Sequence, residues 1–134
     1  MSRWTYVNGL IRVSSLGANS QADSDYAVAK VVENLPKVTG SERDMAVTIV
    51  PIDEATSSNW DCALKKDTEL REEYYLVVHG DLRDREFEQT FREFNKFMNR
   101  LAKRIWVLDT LVEVNTWNRS YVFKDHHFYG TLTD

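Results

Sequence analysis

The feature that most limits how this chain can fold is the regular spacing of large apolar residues between positions 87 and 101. Phe87, Phe91, Phe94, Met98 and Leu101 follow one another at intervals of four, three, four and three residues. This spacing places side chains on one face of an α-helix. The residues between them are polar and many are charged. The sequence therefore predicts an amphipathic helix whose apolar stripe must pack against another layer of the protein.

The remaining periodic segments predict that this other layer is a β-sheet. Runs rich in β-branched and aromatic residues predict five strands, over residues 4–13, 45–52, 74–80, 105–117 and 119–130. In the first strand, the pair Asn8-Gly9 predicts a bulge at Gly9 rather than a hairpin turn. Pro51 lacks an amide donor, which predicts that its end of the strand lies at a sheet edge or leaves the sheet. Residues 116–120 predict a hairpin between the last two strands.

A shorter helix is predicted between the first two strands. Ser20, followed three residues later by Asp23, is typical of a helix start, and Pro36 ends the helical pattern. Val28 and Val32 recur within it at helical spacing. Residues 53–73 are ambiguous, because a helical turn that docks Trp60 and Leu64 and a simple loop both fit the sequence.

The element order predicts an α+β protein with a ferredoxin-like βαββαβ antiparallel sheet and an extra C-terminal strand. The length of 134 residues is typical of one domain, so residues 1–134 are expected to share a single core. In this arrangement both helices cover the same face of the sheet. The opposite face is left free, and it is expected to collect Trp4, Tyr6, Tyr75, Trp117 and Tyr121.

Charge and cysteine content limit the functional classes. The formal net charge is −4 and neither half of the chain is basic, which disfavours a general nucleic-acid binder. The single cysteine, Cys62, cannot form an internal disulfide, and no secretory signal or apolar run long enough to cross a membrane is recognisable. We therefore expect a cytoplasmic protein without a membrane association.

The stretch "HGDLRD", residues 79–84, allows a chemical and a structural interpretation. His79 and Asp81 could be metal ligands or an acid–base pair, with Arg83 holding an anion. Alternatively, Gly80 makes a turn while Asp81 and Asp84 accept hydrogen bonds from free helix amides. The second interpretation explains both aspartates without further assumptions, and we favour it.

Other candidate sites for catalysis have less support. His126 and His127 are adjacent on a predicted strand and would point to opposite faces, so they cannot easily bind one metal. A metal-dependent enzyme built on His79, Asp81 and His126 stays an alternative. The sequence contains no glycine-rich phosphate-binding loop and no Gly-x-Ser-x-Gly motif. We predict no catalytic residue, metal ligand or cofactor.

The predicted free face favours a binding function. Exposed aromatic surfaces mark partner sites, so we expect a protein partner or a homodimer. Nucleotide or single-stranded nucleic acid, stacked on the same aromatic residues, is the second hypothesis. The predicted binding residues for these hypotheses are Trp4, Tyr6, Tyr75, Arg83, Trp117, Arg119 and Tyr121.

Residues 77–101, "VVHGDLRDREFEQTFREFNKFMNRL", resemble small uncharacterised proteins carried by bacteriophages and prophages. The resemblance supplies no catalytic residues. Because many small phage accessory proteins bind and block host factors, it implies an inhibitor of a host macromolecule. An antiviral defence nuclease, as targeted by anti-CRISPR proteins, is one such factor.

Overall fold

The computed structural model describes residues 3–15, 18–52 and 72–125 as five strands and two helices. None of the helices in these ranges is long and apolar enough to cross a membrane. The predictions for Trp60, Cys62, Leu64, His126 and His127 lie outside the described residues. The elements are β1 (Trp4–Ser14), α1 (Gln21–Glu33), β2 (Ala46–Pro51), β3 (Glu73–Arg83), α2 (Phe87–Arg104), β4 (Trp106–Asn115) and β5 (Ser120–Asp125).

The strands form one antiparallel sheet in the order β2-β3-β1-β4-β5. The predicted α+β class, with two helices and an antiparallel sheet, is confirmed. The five-stranded order is not strictly ferredoxin-like, because β5 extends the sheet beyond β4. β2 is an edge strand, so Pro51 lies where a missing amide donor is tolerated, as predicted. The turn between β4 and β5 is also confirmed, with Thr116 donating its amide to the Arg119 carbonyl over 2.8 Å.

One side of the sheet carries the core. Alternate residues of the strands, including Val7, Ile11, Leu76 and Val112, are fully buried on this side. The apolar stripe of α2 packs there, and Phe94 contacts Phe123 of β5 with ring centroids 4.9 Å apart. The predicted spacing is thus confirmed, because Phe87, Phe94, Met98 and Leu101 are buried and Phe91 is partly buried.

The structure contradicts the predicted capping of α2. β3 continues to Arg83, so Gly80 and Asp81 lie within a strand and do not form a turn. The helix begins at Phe87 after Glu86, whose side chain makes no capping hydrogen bond. Asp84 adopts a left-handed backbone with φ of 59° and accepts a hydrogen bond from the Ser41 hydroxyl over 3.1 Å. The aspartates therefore do not satisfy the helix amides, because the strand ends three residues later than predicted.

The predicted bulge at Gly9 is also wrong, since the irregularity between β1 and β4 falls at Arg12 and Val13. Gly9 lies in a regular stretch, opposite Val78 and Val112. A Cβ atom there would lie 2.1 Å from the carbonyl oxygen of Leu111. Glycine is required at this position because the neighbouring backbone approaches closely.

The start of α1 is joined to β3 by a buried hydrogen-bond chain. Ser20 caps the helix as predicted, because its hydroxyl accepts the Asp23 amide over 3.1 Å. The Tyr74 hydroxyl donates to Asp25 over 2.6 Å. Since a phenol has one hydrogen, Ser24 must donate to Tyr74 over 2.6 Å, and Ser15 to Ser24 over 2.5 Å. These hydrogen bonds satisfy the Tyr74 hydroxyl and allow the side chain to be fully buried beneath α1.

Candidate binding surfaces

The side of the sheet opposite the core, called here the open face, is defined by the strand register. Because side chains alternate, the neighbours of the buried residues point away from the helices. The register of the paired strands determines which residues lie on this face. The open face comprises Trp4, Tyr6, Asn8, Leu10 and Arg12 of β1, Ala46, Thr48 and Val50 of β2, Glu73, Tyr75, Val77, His79, Asp81 and Arg83 of β3, Asp109, Leu111, Glu113 and Asn115 of β4, and Ser120, Val122 and Lys124 of β5.

The centre of the open face is apolar. Leu10 lies directly opposite Val77 on β3 and Leu111 on β4. Leu10 is 42% exposed and Leu111 is 57% exposed. Val50 and Val122, on the two edge strands, are exposed to a similar extent. Contiguous exposed apolar side chains of this kind mark interaction surfaces more often than chance.

At one end of the open face, two aromatic rings lie side by side. The rings of Trp4 and Tyr6 are nearly parallel, with an angle of 8° between their planes and centroids 6.4 Å apart. Each side chain is 37% exposed. Trp4 lies opposite Arg83, whose guanidinium forms an ion pair with Glu42 over 2.6 Å. The predicted residues Trp4, Tyr6 and Arg83 are thus brought together.

Tyr75 is on the open face, as predicted, but away from the other aromatic residues. It lies opposite Arg12 and Val50, whereas Tyr6 lies opposite Asp81. Six residues separate Tyr75 from Asp81, which corresponds to roughly 20 Å along a strand. A single base could not contact both tyrosines, so the pair does not form one stacking platform.

His79 and Asp81 are exposed on this face. Nδ1 of His79 lies 2.6 Å from Oδ1 of Asn8 on β1, and Nε2 lies 3.8 Å from Oδ1 of Asp81. Among the described residues, no group of three or more His, Cys, Asp and Glu side chains is arranged to hold a metal ion. The metal-enzyme alternative also used His126, which lies outside the described residues.

The open face has no excess of positive charge. It carries four acidic residues and three basic ones. The acidic residues are Glu73, Asp81, Asp109 and Glu113, and the basic residues are Arg12, Arg83 and Lys124. Arg12 donates to Glu73 through Nε over 2.8 Å, and this hydrogen bond raises the pKa of the guanidinium. Such a charge balance disfavours a polyanion, because phosphate neutralisation by cations supplies most nucleic-acid affinity.

A second surface, called here the hairpin groove, lies where the β4–β5 hairpin meets the start of α2. It has a volume of about 350 Å³ and is lined by Arg3 and Trp4, residues 85–88 and residues 116–119. A neighbouring depression of about 320 Å³ shares Phe87, Glu88 and Arg119 with it. Trp4 therefore borders both the open face and the hairpin groove.

Trp117 and Arg119 belong to the hairpin groove rather than to the open face. Trp117 is 92% exposed at the tip of the hairpin. The Arg119 guanidinium lies 4.3 Å above the centre of the Phe87 ring and forms an ion pair with Glu88. The groove thus combines indole rings with a guanidinium that is fixed by a cation–π contact.

The predicted position of Tyr121 on the free face is wrong. Tyr121 pairs with Val114, a buried residue, so its side chain lies on the helix-covered side. Its ring packs edge-on against Phe91 at 5.1 Å and against Phe123 at 4.9 Å. Sequence alone gave no register for β5, and one residue of shift exchanges the two faces.

Sequence reasoning also missed the apolar centre and the cations of the groove. In "GLIRV", the sequence predicts that Ile11 and Val13 face the core, and both are fully buried, but this prediction was not extended to Leu10, which precedes Ile11. The alternation with Arg12 is the signal that could have placed Leu10 on the open face. Arg3 and Arg85 flank predicted elements, and no local pattern connects them.

Comparison of the chain with known protein families, curated proteins and solved structures finds no match.

Proposed function

We propose that the chain is a non-enzymatic binding protein whose open face engages a protein partner. The observation that carries this proposal is the apolar centre in which the exposed Leu10 and Leu111 lie beside the half-buried Val77, between paired charges. Protein interfaces have this composition, with apolar residues in the centre and a polar rim. Trp4 and Tyr6 add residue types that dominate binding energy at such interfaces.

The balance of charge supports a protein over a nucleic acid as the partner of this face. The basic residues Arg12 and Arg83 are already paired with Glu73 and Glu42. A phosphate chain on this face would have to approach four acidic side chains, which outnumber the three basic ones. A protein surface can instead match alternating charges of both signs.

The wider setting of the proposal comes from the resemblance of residues 77–101 to small phage-borne proteins. We infer an accessory factor that acts in the bacterial cytoplasm and inhibits a host macromolecule, such as a defence nuclease. We also infer that β1 to β4 and the two helices form a ferredoxin-like unit to which β5 is added. The antiparallel order β2-β3-β1-β4 supports this inference.

The test places one negative charge at the centre of the open face. Leu111→Asp should weaken binding of the partner about 30-fold or more, since central interface residues cost roughly 2 kcal/mol or more when lost. Tyr26→Asp is the matched control, because Tyr26 is an exposed apolar residue on α1, 67% exposed. The parent chain is immobilised to capture its partner from bacterial lysate. Binding is then measured with the purified partner and each variant.

Equal affinity of the partner for the parent and Leu111→Asp chains would contradict the proposal. Sedimentation of the chain alone tests the homodimer, because Leu111→Asp should then convert a dimer to a monomer. Captured nucleic acid, with an affinity that falls steeply as salt is raised, would instead support the second hypothesis.

A further inference from the structure

The hairpin groove offers a binding site beyond the function proposed for the open face, with which it shares Trp4. We propose that it binds a small ligand in which a planar ring is joined to an anionic group, of the size of a nucleoside monophosphate. The groove volume of about 350 Å³ lies in the range of small-molecule pockets. A ligand of this kind would use both chemical features of the groove at once.

The first feature is aromatic. Trp4 and Trp117 both line the groove, and Trp117 is almost fully exposed. An indole ring that packs against little of its own chain contributes little to folding. It can instead stack on a planar ring, and stacking on aromatic side chains is the common way in which proteins hold bases.

The second feature is a pair of guanidinium groups. Arg3 and Arg119 line the groove together with Glu86 and Glu88. Arg85 also lines it, but its guanidinium donates to Thr39 over 3.2 Å and to the Asp84 carbonyl over 3.1 Å. Within the described residues, the side chains of Arg3 and Arg119 hydrogen-bond Glu86 and Glu88 through Nη1 alone. Their other N–H groups can donate to an anion, since a guanidinium carries five such hydrogens. The glutamates meanwhile hold both guanidiniums in position.

These features favour a short ligand over a long strand. A nucleoside without its phosphate would make no use of the arginines, and a free anion would make no use of the indoles. A longer polyanion would run from the groove onto the open face, where acidic residues outnumber basic ones. The groove therefore matches one ring with one attached anionic group.

The test is an NMR titration of the ¹⁵N-labelled full chain with adenosine monophosphate, adenosine or inorganic phosphate. We expect saturable shifts of the indole N–H signals of Trp4 and Trp117, and none for Trp106, which lies at the other end of β4. Adenosine and phosphate should each bind at least about tenfold more weakly than the monophosphate. Trp117→Ala and Arg119→Ala should each weaken binding by a similar factor.

Matched variants separate groove binding from general effects. Trp106→Ala and Arg104→Ala remove the same residue types elsewhere on the surface and should leave the affinity unchanged. Leu111→Asp should also leave the affinity unchanged, so the proposal for the groove and the proposal for the open face can be contradicted separately. The proposal is overturned if the monophosphate gives no saturation up to about 10 mM. It is equally overturned if phosphate or adenosine alone binds as tightly, or if the shifts centre on Trp106.

Discussion

The two faces of the sheet are made by the same strands but differ in how far their apolar side chains are buried. On the helix-covered side, Ile11, Leu76 and Phe94 have no exposed surface. On the open face, Leu10 and Leu111 retain about half of theirs. Full burial of a side chain of this size stabilises the folded state by roughly 1.5–3 kcal/mol, and the partly exposed leucines of the open face contribute only part of that stabilisation. The comparison separates residues that stabilise the fold from residues available to a partner.

Tyr74 and Tyr75, which are adjacent in the sequence, show the same difference between the two faces. Tyr74 is buried under α1 and its hydroxyl is held by Ser24 and Asp25. Tyr75 points to the open face and is only partly buried. The helix-covered side therefore holds the Tyr74 hydroxyl by hydrogen bonds within the chain, whereas Tyr75 stays partly exposed on the open face.

The largest expected difference between the faces concerns Phe94 and Leu111. Phe94→Ala should lower the free energy of unfolding by about 3–5 kcal/mol, because it leaves a cavity between Phe97 and Phe123. Leu111→Ala should change it by no more than about 1 kcal/mol, because more than half of that side chain already contacts water. Urea unfolding followed by circular dichroism measures both values. Similar losses in the two variants would show that the open face is as tightly packed as the core.

The regular elements could be predicted from sequence because their signals are local. The spacing of Phe87, Phe94 and Leu101 specifies a helix and its buried face without reference to any other segment. Ser20 specifies the start of α1 in the same way. Pro51 carries information about its position in the sheet, since the missing donor is tolerated only at an edge.

The binding surfaces could be predicted only in part, because they depend on register and on distant contacts. The face of Tyr121 follows from its pairing with Val114, and the hairpin does not reveal that register locally. The end of β3 at Arg83 depends on pairing with Trp4, which lies 79 positions earlier. The groove joins Arg3, Phe87 and Arg119 from three separate segments, and sequence patterns do not report such a junction.

A smaller difference is expected between the two tyrosines. Tyr74→Phe removes a hydroxyl that bonds Asp25 and Ser24, so it should cost about 1–3 kcal/mol of unfolding free energy. Tyr75→Phe should cost less than about 0.5 kcal/mol, as is usual for surface substitutions. Thermal and urea unfolding of the two variants provide the measurement. A loss for Tyr75→Phe as large as that for Tyr74→Phe would mean that the open face holds its own satisfied polar network.

The smallest expected effect is a pH dependence on the helical side of the molecule. Glu93 on α2 accepts hydrogen bonds from the amide and hydroxyl of Thr39, over 2.7 and 3.0 Å, and from Gln89 over 2.9 Å. Partial burial raises the pKa of this carboxyl, but these hydrogen bonds and the charge of Arg85 outweigh it and hold the pKa below its usual value.

Because the folded-state pKa of Glu93 is lowered, its contribution is complete above the unfolded value of about 4.3 and is lost as pH falls through the folded pKa. Glu93→Gln should therefore destabilise the protein at pH 7 and flatten the decline in unfolding free energy below about pH 4. Urea unfolding at a series of pH values measures the slopes, and Glu33→Gln, at the exposed end of α1, is the control. An unchanged slope in Glu93→Gln would mean that the Thr39 contacts do not favour the ionised carboxylate. The stability of the helix-covered side at low pH would then depend on apolar packing and not on this carboxylate. The hydrogen bonds of the two faces would in that case contribute similarly little to stability.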